Sequence, residues 1–277
     1  MTIVDNLVVP YGPGNVANWI DAGWQDYEMW SAHRGGSYDW PELSMRAYTQ
    51  AVINGYGCLE ISVNRTSDGV YAAVHDLSIE RVIFSPDTGL PPVSEMTWAQ
   101  IQAYEAAGPI NFRERAPEPF ERLETIVNTY KASHVFMVDP KGTDVSHYPE
   151  LLDLLDSLTG NVLGEPGGPT RFIGKYVGDN QVWADALAER GYQSWGAYYD
   201  TDWVTGGAGF PASSAAMWTL LGLNYDASQA HWTEIKATGK KVLGHICVTP
   251  ADVDMARSKG ADGFQVSGVE QINPVTD

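Results

Sequence analysis

The sequence predicts an α/β protein, a (β/α)8 TIM barrel preceded by an irregular N-terminal segment. Short apolar runs alternate with helical patterns from Met29 onward, eight such runs stand where strands belong, and 277 residues suit a single barrel. The runs contain Ala32, Leu59, Val135, Phe172, Ser194, Met217, Val242 and Phe264. A doubly wound open sheet is the other arrangement that such alternation allows.

Residues 1–29 hold Pro10, Gly12, Pro13 and Gly14, then Trp19 and Trp24. They read as an irregular lead-in that covers the bottom of the barrel or as an arm that docks on another protein. The chain therefore divides at 1–29 and 30–277. Trp30 to His33 is a strand. In residues 42–54, Leu43, Ala47 and Ala51 recur at helical spacing before Gly55, giving a helix with one buried face. Cys58 to Val63 and Val70 to Val74 are strands around the turn Ser67-Asp68-Gly69. Thr97 and Gln100 form a capping box that opens a helix to about Ala107. Phe120 to Lys131 is helical and Val135 to Val138 a buried strand. A leucine-rich helix follows Pro149, and Phe172 to Val177 is a strand. Val182 to Arg190 is a helix stopped by Gly191. Ser194 to Tyr199, Met217 to Leu223 and Val242 to Val248 are strands. Thr249-Pro250 starts a helix that stops at Gly260, and Gly263 to Val266 is the last strand.

Thirty-five acidic residues against 17 basic ones give a net charge of -18, which argues against nucleic acid as a partner. No apolar run approaches the roughly 18 residues of a membrane span. Met1 to Gln25 lacks a basic start followed by an apolar block, so no secretory signal is read there. That leaves the cytoplasm, or carriage outside by another route. Cys58 and Cys247 sit in apolar segments and read as buried free thiols.

The chemistry gathers between Ser31 and Asp76. His33, Arg34, Glu60 and His75 come from strand ends, and they are the parts that phosphodiester cleavage needs: a base, an acid, a cationic clamp and a metal ligand. Asp76 fixes the tautomer of His75 or caps the next turn. Glu60, Ser62 and Asn64 share one strand face, where Glu60 is a ligand or pairs with Lys141. Asp139 and Lys141 share a face too and could pair with each other. Glu42 orients Arg34 or caps its helix. His134, His147, His231 and His245 lack motif support and read as core or surface. Among the tryptophans, Trp195, Trp203 and Trp218 are the candidates to stack on a sugar or glycerol chain.

Taken together and in this order, His33-Arg34-Gly35, Pro41-Glu42, Glu60, Thr66, Asp68-Gly69, His75-Asp76, Thr97 to Gln100, Asp139-Pro140-Lys141 and Gly260 to Phe264 resemble the glycerophosphodiester phosphodiesterases. The resemblance implies a (β/α)8 barrel and metal-dependent hydrolysis of a glycerol phosphodiester to glycerol phosphate and an alcohol. It implies His33 and His75 as the acid-base pair, and Arg34 and Lys141 on the phosphate oxygens. Glu42 and Asp76 stand behind them. Glu60 and Asp139 would hold a divalent ion, Mg2+ or Ca2+, with Ser62 where the family has a second acid. Asp139 is one methylene shorter than the usual glutamate, Leu43 replaces an Asn, and Ser267 stands where an acid is common.

The substrate is then a small or polymeric glycerol phosphate. A second reading keeps the barrel as a binding or structural module for a cell-wall polymer such as teichoic acid. An example is a virion-associated phage-tail protein, with residues 1–29 meeting an assembly partner.

Overall fold

The computed structural model describes residues 28–108, 116–160, 172–202 and 209–272. The chain enters on β1 (Met29–Ala32), turns through a 3-10 segment at His33–Gly35 and packs α1 (Met45–Ile53) outside it. Ser44 caps α1 by accepting from the Ala47 N–H, and Ala47, Tyr48, Ala51 and Val52 form its buried face. Strand β2 (Cys58–Arg65) follows, with a short antiparallel partner, β3 (Tyr71–Ala73). Next come α2 (Trp98–Ile101), a ribbon of β4 (Glu105–Ala106) and β5 (Glu118–Pro119), and α3 (Leu123–Tyr130). The rest alternates strictly. It runs β6 (Val135–Asp139), α4 (Tyr148–Thr159), β7 (Phe172–Val177), α5 (Gln181–Glu189), β8 (Gln193–Tyr198) and α6 (Ala212–Met217). It then runs β9 (Leu220–Asn224), α7 (Gln229–Lys236), β10 (Val242–Cys247), α8 (Pro250–Ser258) and β11 (Gly263–Val266).

Eight strands pair in parallel in the order β1-β11-β10-β9-β8-β7-β6-β2. β1 also pairs with β2, Ser31 beside Cys58 and Ala32 beside Leu59, so the ring closes and the open-sheet alternative falls. The period of two sorts the side chains. Met29, Cys58, Val135, Met137, Ile173, Trp195 and Leu243 fill the inside, while Trp30, Leu59, Phe136 and Phe172 join the layer under the helices. A third apolar cluster, including Val74, Ile79, Trp98, Ile101 and Phe120, belongs to the excursion between β2 and β6. The Ser67-Asp68-Gly69 turn is tied to it, since Asp68 Oδ1 accepts from Thr66 Oγ1 and from the Trp98 N–H.

Several boundaries differ from expectation. The Thr97–Gln100 capping box forms, but its helix ends at Ile101 instead of running to Ala107. Ala106 is captured by pairing with Glu118 and by a bridge to Ile83, which closes the small core over β3. α3 starts three residues late for the same reason, because Glu118–Pro119 belongs to the ribbon. The sixth barrel strand opens at Leu220; Met217 ends α6 and Trp218 is buried in the layer under the helices. α7 carries only Trp232 and Ile235 as its buried face, too thin a stripe for periodicity to detect.

The lead-in expected over 1–29 falls on residues outside the described ones, except for its end. Met29 opens β1, and Glu28 is ion-paired to Arg257 at 2.7 Å. Cys58 and Cys247 are free and buried, and burial pushes both thiols up to about 12. Among the described residues, no helix is long and apolar enough to cross a membrane.

Candidate active site

The charged residues gather at the C-terminal ends of the barrel strands. β1 leaves the barrel through a left-handed turn in which Arg34, Gly35 and Gly36 have φ of 52°, 76° and 108°. Gly36 is required twice over: its φ disfavours a side chain, and a Cβ there would lie 2.5 Å from Val269 Cγ2. The turn buries His33 and aims the Arg34 N–H at Glu60 Oε2, 2.6 Å away. His33 Nδ1 lies 2.7 Å from Ser267 Oγ and 3.2 Å from Ser37 Oγ. Burial, and then the Arg34 cation beside it, hold the imidazole well below its usual range. His33 is therefore neutral at rest.

β2 turns Glu60, Ser62 and Asn64 to the barrel interior, all buried. Tyr48 on α1 donates to the Glu60 carbonyl at 2.8 Å and fixes the strand's height. Glu60 Oε1 accepts from Ser62 Oγ at 3.1 Å and from Lys175 Nζ at 3.0 Å. Burial pushes the Glu60 carboxyl up, but Lys175, His33 and Arg34 together outweigh it and hold the group well below the usual carboxylate range. Asn64 Nδ2 donates to the carbonyls of Val74 and Asp76 and so pins the segment that carries His75.

A relay of alternating charge runs along the rim. His75 Nδ1 lies 2.6 Å from Asp76 Oδ1, and Arg81 Nε donates to Asp76 Oδ2. Arg81 Nη2 reaches Glu42 Oε1 at 2.7 Å, and Glu42 Oε2 pairs with Arg34 Nη1 at 3.1 Å. Glu42 thus orients Arg34, while Ser44 caps the helix. Arg34 Nε is buried and, among the described residues, has no hydrogen-bond partner. Burial and then Arg34 lower the His75 pKa, while Asp76 pulls it back up. Arg34, Glu60 and Lys141 act on His75, and Arg34, Glu60, Lys175 and His75 act on His33, so these groups occupy one electrostatic site.

Asp139 ends β6 beside Ser62. Lys141 Nζ lies 2.8 Å from its Oδ2, but obliquely, and neither buried carboxylate oxygen accepts a hydrogen bond. Lys141 pairs with Asp139, and Glu60 takes a different lysine. That lysine, Lys175 on β7, is 3% exposed and is not among the site residues expected from the sequence. Its signal was a cation at an inward position of an apolar strand, two residues after Ile173.

The implied divalent ion does not fit the residues present. Asp139, whose buried oxygens accept no hydrogen bond although Oδ2 is ion-paired to Lys141, is the group best suited to it. Both Glu60 oxygens are already engaged, and Ser62 gives its hydrogen to Glu60. Lys175 Nζ stands 3.0 Å from Glu60 Oε1 and 3.7 Å from Asp139 Oδ2. A Ca2+ shared by these acids, with bonds of about 2.3–2.6 Å, would need that space. Among the described residues, no three His, Cys, Asp or Glu side chains are grouped to hold a metal.

The remaining candidates are structural. His245 is buried, its Nε2 2.9 Å from the Tyr198 carbonyl, and burial lowers it to about 3. His134 is buried as well, while His147 and His231 pair with Glu150 and Asp200. Trp195 and Trp218 are fully buried and cannot stack on a substrate; Trp203 lies outside the described residues. A cavity of about 700 Å³ flanks the rim relay, lined by Ser37, Trp40, Glu42, Arg81, Ile83 and Phe84 among others.

Residues 33–156 match the model of the Glycerophosphoryl diester phosphodiesterase family, so the resemblance read from the sequence holds over that stretch. Over 95 residues the chain is 36% identical to glycerophosphodiester phosphodiesterase 1 of Rattus norvegicus and 35% identical to that of Homo sapiens. Each match takes in 34% of this chain and 27% of the relative, so the chain aligns with about a quarter of the length of these relatives. The barrel superimposes on glycerophosphodiester phosphodiesterase from Agrobacterium tumefaciens with a TM-score of 0.65 at 14% identity, covering 90% of this chain and 100% of that one. It matches a phosphodiesterase of Oleispira antarctica, in complex with the product sn-glycerol-3-phosphate, with a TM-score of 0.66 at 15% identity, covering 90% and 96%. At these identities the structural likeness is one of fold, and the fold is the (β/α)8 barrel.

Proposed function

We propose that the chain hydrolyses a glycerophosphodiester, with His33 and His75 as its acid-base pair. One observation carries this reading: the two imidazoles share a barrel mouth and each is held through Nδ1, which leaves both Nε2 atoms for proton transfer. His33, neutral in its buried niche, serves as the base; His75, supported by Asp76, serves as the acid. Arg34, through its unpartnered Nε, and Lys141 hold the non-bridging phosphate oxygens. The glycerol hydroxyl next to the ester loses its proton to His33 and attacks phosphorus. The P–O bond to the alcohol breaks, and His75 gives its proton to the departing oxygen. Water then opens the cyclic phosphate with the two roles reversed, leaving glycerol phosphate. The alcohol portion lies toward the cavity beside Glu42 and Arg81.

The test is phosphorus NMR of a glycerophosphodiester incubated with the chain, in which a growing monoester signal supports hydrolysis. A second reading, a module that binds a polyol-phosphate polymer such as teichoic acid, is favoured by Ser62, which leaves the expected acid set one carboxylate short. Retention of wall polymer with an unchanged NMR spectrum would select it.

A further inference from the structure

We infer that the ammonium of Lys175 takes the place of the divalent cation, so that this site handles a phosphodiester without a metal ion; the inference rests on the proposed function only for the identity of the anion. Three features make Lys175 part of a built centre. Its Nζ lies between the two acids, 3.0 Å from Glu60 Oε1 and 3.7 Å from Asp139 Oδ2. It stands over the Trp195 ring, 5.3 Å from the centroid, a cation-π contact inside the barrel. Its strand is fixed from behind by Trp183, whose Nε1–H donates to the Lys175 carbonyl at 3.2 Å. A lysine this buried needs such partners, since an unpaired ammonium is costly to remove from water.

Charge bookkeeping points the same way. The resemblance implies three acids around an ion of charge +2. Here Ser62 removes one negative charge and Lys175 adds one positive charge, which together amount to the charge of that ion. Glu60, neutralised by Lys175, still accepts the Arg34 N–H and so keeps the His33–Gly36 turn in place. Lys175 is therefore a positioning residue: it acts on the phosphate through Glu60 and Arg34, and through the positive field that it contributes beneath them.

The experiment is a Mn2+ titration read by electron paramagnetic resonance on the full chain and on the double variant S62D/K175M. The wild type is expected to leave Mn2+ free, and the double variant to bind one equivalent. Mn2+ should also raise the melting temperature of the double variant and leave that of the wild type unchanged. Stoichiometric Mn2+ binding by the wild type, lost in E60Q, would overturn the inference. So would hydrolysis that a chelator abolishes and Mn2+ restores. Should the double variant fail to fold, the wild-type titration decides alone. K175R, which keeps a cation, is expected to retain phosphodiester turnover in chelator where K175M loses it; equal turnover in both would count against the role. If the wild type turns nothing over, the K175R and K175M comparison does not apply: Mn2+ left free by the wild type and bound by the double variant then keeps the inference, and the proposed hydrolysis falls.

Discussion

Asp76 holds His75 from one side through Oδ1, 2.6 Å from Nδ1, and is itself held from the other by Arg81. His33 has only the hydroxyls of Ser267 and Ser37 on its Nδ1. This asymmetry separates the two imidazoles. A carboxylate hydrogen-bonded to its ring stabilises the imidazolium of His75, whereas His33 has only the more distant field of Glu60, which burial and Arg34 outweigh.

The pH profile follows. The base must be neutral, and burial holds His33 well below its ordinary value of 6.5, so the acid limb lies far to the acid side. The acid must be protonated, and His75 is also lowered, first by burial and then by Arg34, so the alkaline limb falls below 6.5 too. A plot of kcat/KM against pH is expected to be bell-shaped, with its maximum on the acid side and falling through neutrality. A maximum above pH 7 would contradict it.

Asp76→Asn removes the larger of the two carboxylate influences that raise the His75 pKa, the other being Glu60. The alkaline limb should move to lower pH while the acid limb stays in place. Activity at neutral pH should fall more than activity at the optimum, and parallel profiles of the two proteins check it.

Lys141→Met removes a cation proposed to grip phosphate. A charge-assisted hydrogen bond of about 1.5–3 kcal/mol corresponds to a rise in KM of roughly ten- to a hundredfold. kcat should change less, because both imidazoles remain. Steady-state kinetics separates the two constants.

The His33–Gly36 turn should be intolerant of side chains. Gly36→Ala combines a φ of 108° with a Cβ 2.5 Å from Val269, and is expected to cost about 1–3 kcal/mol of stability. Gly89→Ala, with a φ of 74° but open space around it, should cost less. Denaturant midpoints for the two variants make the comparison.

The barrel was legible because its strands carry contiguous apolar runs, and the His33–Gly36 and His75–Asp76 pieces because their functional residues are neighbours in the chain. Lys175 was not. Its partner Glu60 lies 115 positions away, and only ring closure with the strand order β2-β6-β7 brings the two together. The link from Asp76 through Arg81 to Glu42 was hidden likewise, since Arg81 sits 39 positions from Glu42 in a three-residue 3-10 turn, Glu80–Val82, too short for periodicity. The helix expected to reach Ala107 was lost to a strand pairing that local propensity does not encode.

Turnover of a glycerophosphodiester by the wild type, His33→Ala and His75→Ala, with circular dichroism to show that all three fold, decides whether the two imidazoles work as an acid-base pair. Glycerol phosphate is expected from the wild type, with a loss of about 10²–10⁴ in rate for each variant. Undiminished release by a folded His33→Ala protein would contradict it.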